Sequence, residues 1–280
     1  MFMNSILGRS PLFDREQPRG SIKRLATMAS MLTAVVTLIS APLHAQEAQP
    51  TQPTKTPPRE ASMLLKAGTI IEISYASIEG GKEKQLMGDY LPQIMPIVAS
   101  YGGKMLGSFQ VTAVTGGEVE PQMLAIFEWP SLEARTQLHQ DKAAQKLFPL
   151  RDDALTYFKQ AFYTVDQDTP LVFKENKSYE FFNAWLTIAS TVSLPAYFKL
   201  SEGPKQKYGP PEFIAQLKPL ENPPEGSYVI SSDMAAIVEW NSTAAFYGLM
   251  ADPGFKLAAP LLSASVSRLD QIHTKFAFPQ

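Results

Sequence analysis

The hydrophobic pattern switches repeatedly between a period of two and a period near 3.6. Thr69-Ile-Ile-Glu-Ile-Ser-Tyr-Ala-Ser-Ile78 is rich in β-branched residues and lies between glycine signals, which predicts a strand. Leu86, Tyr90, Ile94, Ile97 and Tyr101 then fall three and four apart, the spacing of one helical face. Pro92 and Pro96 lie inside that run, so the helix either starts at Pro92 or is kinked, and Gly102-Gly103 closes it. Lys104–Val114 reads as a second strand, Gly116-Gly117 as a hairpin turn and Gln122–Trp129 as a third strand. Ser131 is a natural N-cap for a second helix, interrupted at Pro149, and Thr156–Val165 completes the unit as a fourth strand.

The pattern then recurs. Met123-Leu-Ala-Ile-Phe-Glu-Trp-Pro-Ser-Leu-Glu-Ala134 returns as Met234-Ala-Ala-Ile-Val-Glu-Trp-Asn-Ser-Thr-Ala-Ala245, with seven of twelve positions identical at an offset of 111. That offset also pairs Asp141 with Asp252, Pro149 with Pro260 and Leu150 with Leu261. Tyr90 and Tyr101-Gly102 match Tyr197 and Tyr208-Gly209 at an offset of 107, the difference being absorbed in a loop. The second copy is expected as Tyr179–Ser190, Leu194–Tyr208, Glu212–Leu220, Asp233–Trp240, Ser242–Leu269 and Asp270–Phe278. Gly203-Pro204 is expected to break its first helix.

Each copy reads as β-α-β-β-α-β, a ferredoxin-like unit with both helices on one face of a four-stranded sheet. The other sheet face needs cover, and the second copy can supply it. The predicted fold is therefore α+β, two tandem ferredoxin-like repeats packed sheet to sheet as an intrachain α/β barrel. Residues 64–170 form the first repeat and 171–280 the second, degenerate one.

Tyr90…Tyr101-Gly-Gly-Lys-Met-Leu, the Ile-Phe-Glu-Trp-Pro-Ser strand and Lys146-Leu-Phe-Pro-Leu-Arg151-Asp-Asp-Ala154 together carry a resemblance. The chain resembles the dimeric α/β-barrel superfamily, in particular a small family in it with no assigned function. The likeness covers Thr69 to Val165 well and Tyr179 to Phe278 weakly. It implies a barrel with an interior cleft. Relatives implied by the resemblance include cofactor-free monooxygenases, muconolactone-type isomerases and duplicated haem enzymes, so the fold is implied and the chemistry is left open.

Ahead of the repeats, Arg15, Arg19, Lys23 and Arg24 precede an apolar run from Met28 to Ile39 and then Ser40-Ala-Pro-Leu-His-Ala45. This is the layout of a secretory signal peptide over residues 1–45, with periplasmic or secreted export. Its strongly apolar part is too short to span a bilayer, and nothing downstream of the leader reads as a membrane span. Residues 46–63, rich in Pro, Gln and Thr, read as a disordered linker. Of the 280 residues, 25 are Lys or Arg and 27 Asp or Glu, giving a net charge of -2. The basic leader supplies part of the positive charge, so the mature chain is more acidic and a poor partner for nucleic acid. With no cysteine and three histidines, disulfides, thiolate metal sites and thiol catalysis are excluded, and neither a metal nor a cofactor is expected.

Few residues remain to carry chemistry. Arg151 matches an arginine that the resembling family places after its second helix, where it can fork onto a carboxylate or enolate. The alternative is a surface arginine paired with Asp152, Asp153 or Glu128. The corresponding position in the second copy is Leu262, so such a site would belong to the first. Glu128 and Glu239 are repeat mates that could raise one another's pKa if they met in the cleft, or simply cap strand ends. Tyr75 and Trp185 lie on first strands and line the cleft if their strand phase points inward. Trp129 and Trp240 read as packing. His139, in the second helix, corresponds to Met250 and haem is not expected there; a cofactor-free enzyme would instead bring Arg151, Glu128 or His139 together on a buried cavity. These residues predict a binding protein for a small apolar or acidic molecule between the sheets, as a monomer or homodimer. A cofactor-independent oxygenase or isomerase is the rival, and a structural protein using its outer helices comes third. N-terminal sequencing of the protein secreted by a host that recognises its leader should begin at Gln46; an intact Met1 would contradict export.

Overall fold

The computed structural model describes residues 57–118, 120–224 and 228–279. The leader, residues 46–56 of the linker and the terminal Gln280 lie outside them. The linker expectation fails at its end, because a strand, β1, already spans Glu60–Leu65. It pairs antiparallel with β6 (Thr169–Lys174), which falls between the predicted strands Thr156–Val165 and Tyr179–Ser190.

The remaining order is β2 (Ile70–Ile78), a π-helical turn (Gln85–Tyr90), α1 (Leu91–Ser100), β3 (Lys104–Gly116) and β4 (Met123–Trp129). Helices α2 (Leu132–Gln140) and α3 (Lys142–Ala154) follow, then β5 (Leu155–Thr164). After β6 come β7 (Ser178–Leu186), α4 (Ser190–Lys207), β8 (Glu212–Pro219), β9 (Val229–Ile230) and β10 (Met234–Trp240). Helices α5 (Thr243–Ala251), α6 (Pro253–Lys256) and α7 (Ala259–Ser265) precede β11 (Val266–Phe276).

The strands run β2-β4-β3-β11-β7-β10-β8-β5, and β5 pairs back onto β2, closing an eight-stranded ring. Its first seam is long, with β3 and β11 paired from Phe109↔Phe276 to Gly116↔Gln271. The second seam is short: β5 meets β8 only at Tyr163↔Pro219 and Thr164↔Lys218, and β9 covers the neighbouring edge of β5. Closure removes the exposed edges that two open sheets would leave.

Two proline expectations are corrected. α4 continues through Gly203-Pro204 to Lys207, with Pro204 packed beside Gly254 at the start of α6. α3 runs through Pro149, and the break in that region falls at Asp141, ahead of α3. Asp141 Oδ1 accepts the first free amides, from Ala143 at 2.7 Å and Ala144 at 2.9 Å, so its side chain starts a new helix there. Asp252 repeats this with Gly254 and Phe255. Tyr101 and Tyr208 donate their hydroxyls to these two aspartates at 3.0 and 3.2 Å. Ser131 and Ser242 each cap the amide three residues on at 3.1 Å. The matched residues of the two segments thus have matched tasks.

All eight ring strands contribute to one buried cluster, including Ile73, Tyr75, Phe109, Leu124, Tyr163 and Phe181. Met63 and Leu65 of β1 and Leu171 and Phe173 of β6 join it, so the ribbon packs onto the barrel core. An eight-stranded barrel has an interior just wide enough for side chains to fill. The expected inter-sheet cleft is therefore occupied by the core. A second cluster, with Tyr90, Ile94, Trp129 and Leu138, lies between the outer sheet face and the helices.

Candidate functional site

The open space lies on that outer face. Alternation along β2 sends Ile71, Ile73 and Tyr75 into the barrel core and Glu72, Ser74 and Ala76 toward the helices. There they line a cavity of about 150 Å³. Its apolar wall includes Tyr90, Ile94, Trp129, Phe148 and Phe158, and its polar groups include Glu72, His139, Arg151 and Gln160.

Glu72 is 4 % exposed, a placement that is costly unless the carboxylate is bonded. Trp129 donates its indole N–H to Oε2 at 3.1 Å, Ser74 its hydroxyl to Oε1 at 2.9 Å, and Gln160 its amide to Oε1. Arg135 completes the set. Its Nη2 donates to Gln160 at 2.9 Å, its Nε lies 3.5 Å from Glu72, and its guanidinium rests over Phe162.

Arg151 lies in the cavity wall, stacked between Phe148 at 5.0 Å and Phe158 at 4.6 Å. Its Nε and Nη2 both donate to one oxygen of the half-exposed Asp152, so part of its fork is already engaged. His139 packs on Phe148 in the same wall. Burial first, then the charges of Arg135 and Arg151, lower the His139 imidazole to about 4, which keeps it neutral at neutral pH.

A second cavity, of about 110 Å³, occupies the corresponding place under α4 to α7. Glu180 replaces Glu72 and is held alike, by the Trp240 indole at 2.8 Å and the Gln271 amide at 2.9 Å. The positions of Trp129 and Gln160 map onto Trp240 and Gln271 at the offset of 111. The cationic positions do not carry over. Arg135 becomes Phe246, Arg151 becomes Leu262, and His139 becomes Met250. Lys205 lines this cavity instead, where the 107 offset puts Val98 in the first. Burial pushes the Glu180 carboxyl up, in a setting where no arginine pairs with it among the described residues.

Of the candidates read from the sequence, Arg151 and His139 share the first cavity. The other four do not reach either cavity. Glu128 pairs with Lys104 at 2.8 Å and Glu239 with Lys177 at 3.0 Å, so each carboxylate is matched to a lysine and not to the other. Alternation along β4 and β10 gives the cavities to Trp129 and Trp240, whose neighbours therefore point the other way. Tyr75 sits in the barrel core, where its hydroxyl accepts from Asn183 at 3.1 Å and burial pushes the phenol up to about 12. Trp185 packs against the same core beneath Arg268. Glu72, Glu180, Arg135, Gln160, Gln271 and Lys205 were missed. Their legible signal was a charged residue amid apolar neighbours on each first strand, together with a shared glutamine on each last strand.

Residues 77–160 match the family described as a domain of unknown function, DUF1330. That match and the strand order fit the dimeric α/β-barrel superfamily. No curated protein matches the chain. Among solved structures it is similar to an anthrone oxidase-like protein, at 15% identity over 77% of this chain and 94% of that one, with a TM-score of 0.48. It is also similar to a chlorite dismutase variant from Candidatus Nitrospira defluvii, at 7% identity over 76% and 92%, TM-score 0.48. A protein of unknown function from Rhodopseudomonas palustris aligns at 22% identity over 38% of this chain and 85% of that one, TM-score 0.33.

Two stability predictions follow from these side chains. Arg135→Ala should destabilise the fold by about 3–5 kcal/mol in denaturant titration, since it strands a buried carboxylate. Glu72→Gln/Arg135→Met should recover most of that loss. The second concerns His273, which is fully buried against Phe246 and Trp240, with neither ring nitrogen bonded among the described residues. Burial lowers it to about 4 from the usual 6.5. The unfolded chain thus takes up the proton first, and stability falls as pH drops from about 6.5 toward 4. Between pH 8 and pH 5, wild type should lose about 2 kcal/mol more than His273→Phe. Equal losses would contradict this burial.

Proposed function

We propose that the first cavity binds a small, largely apolar molecule of about one aromatic ring, carrying an acidic or carbonyl oxygen directed at Arg151. The observation that carries this reading is an arginine set in an aromatic wall with its Nη1 outside the pair with Asp152, while the neighbouring Glu72 is already matched by Arg135. The size supports it, since a dry cavity of about 150 Å³ accommodates benzene. We further propose that the barrel is a tandem duplication of one ferredoxin-like unit and that the protein acts after export. The shared caps and the repeated Glu–Trp–Gln sets support the duplication, and the leader pattern supports export.

The same cavity favours a second reading, a cofactor-independent isomerase or oxygenase. In it Arg151 would hold the developing oxyanion, and His139, neutral but weakened as a base by its lowering to about 4, would receive the substrate proton only as that oxyanion is stabilised. Binding distinguishes itself from packing in calorimetry with benzoate, benzyl alcohol and benzene. Benzoate should bind tightest, and Arg151→Gln should weaken it by about tenfold or more while leaving benzene unchanged. Benzoate binding no better than benzyl alcohol, or indifferent to Arg151→Gln, would overturn the assignment. Turnover of an enolisable ketone that disappears in His139→Phe, with benzoate affinity retained, would establish the second reading over simple binding.

A further inference from the structure

The second cavity differs from the first in chemistry as well as size. Lys205, on α4 and partly exposed, lines a largely apolar cavity that opens to solvent, with its amine 4.9 Å from the Tyr197 ring centroid and 5.1 Å from that of Phe198. No hydrogen bond or ion pair ties down its Nζ among the described residues, whereas the nearby Lys207 is bound to Asp252 at 3.0 Å. The charged groups acting on Lys205 are Glu180, across the cavity on β7, and Glu202 on its own helix. Burial outweighs both and lowers the amine to about 8. Glu180 is held by Trp240 and Gln271 in the same cavity, where burial raises its carboxyl against the opposing pull of those two donated bonds.

The free-amine fraction of Lys205, larger near neutral pH than that of an exposed lysine, is a nucleophile toward carbonyl carbon, and a carboxyl group lining the same cavity can relay the proton that removes water. We propose that the second cavity is a carbonyl-capturing site in which Lys205 condenses with a short-chain aldehyde and Glu180 serves as proton donor. The amine lone pair adds to the aldehyde carbon, and the carbonyl oxygen takes a proton. That proton comes from the newly bonded ammonium nitrogen; the carbinolamine then loses its hydroxyl as water with a proton from Glu180, and the iminium nitrogen returns its remaining proton to the Glu180 carboxylate on neutral imine formation. Aldehyde plus amine become imine plus water, with no net oxidation. The cavity, smaller than the first, favours a chain of a few carbons over a ring.

The test is reductive trapping of the full-length folded protein with butanal and cyanoborohydride, followed by peptide mapping. At low butanal the butyl adduct should concentrate on Lys205, with labelling half-maximal near pH 8. Brief exposure of the unfolded chain should spread the label over all lysines. Lys205→Met should lose the preferred adduct, and Glu180→Gln should slow its formation several-fold while leaving it on Lys205. The wild-type map reads this preference without any variant having to fold. Labelling of Lys205 no faster than of exposed lysines such as Lys104, or only above pH 10, would overturn it. An unchanged rate in Glu180→Gln would remove the proton-donor role.

Discussion

Each half of this molecule is organised around a carboxylate that has been taken out of water. Glu72 and Glu180 sit mid-strand on the outer sheet face, 4 % exposed in both cases, beneath helices that would otherwise close over apolar side chains alone. An unpaired charge there would cost several kcal/mol, so the surrounding groups are constrained to satisfy it. Trp129 with Gln160, and Trp240 with Gln271, meet that demand by identical donations. Holding two large side chains toward a strand keeps the helices from packing flush, and the cavities lie at these positions.

What differs between the halves is the counter-charge. In the first, Arg135 neutralises the carboxylate from behind and leaves Arg151 and a neutral His139 to define the cavity. In the second, Phe246 takes the arginine's position and His273 takes that of Phe162, so a cation–ring contact is exchanged for a ring–ring one. The carboxyl then shares its cavity with Lys205. The two cavities therefore present different ionisable groups, Arg151 and a neutral His139 in the first, Glu180 and Lys205 in the second.

Much of the fold was legible in the sequence, because its repeat marks residues with fixed structural tasks. Trp129 and Trp240, Ser131 and Ser242, and Asp141 and Asp252 recur since each satisfies backbone or carboxylate groups that nothing else nearby can reach. Both cavity residues that were anticipated, Arg151 and His139, come from the segment of strongest family likeness. The position of the cavity was not legible. Continuous apolar runs leave strand phase undetermined, so Tyr75 and Trp185 were assigned to a cleft that the barrel core fills. The glutamates at 128 and 239 were visible through the repeat, yet those at 72 and 180 are aligned by a third offset, 108, in strands of little sequence similarity. The ribbon of β1 and β6 was hidden for another reason: its strands flank the first repeat, and only their pairing with one another reveals them.

The chain has three tryptophans, and their indole protons meet different surroundings. Trp129 and Trp240 donate to buried carboxylates, whereas Trp185, only partly buried, makes no such donation among the described residues. Amide and indole hydrogen exchange followed by NMR reads this directly. The Trp129 and Trp240 indole protons should exchange only with global unfolding, and Glu72→Gln and Glu180→Gln should each shift one of them selectively. Fast exchange of both, or shifts that do not follow the matching glutamate, would contradict the carboxylate-centred architecture.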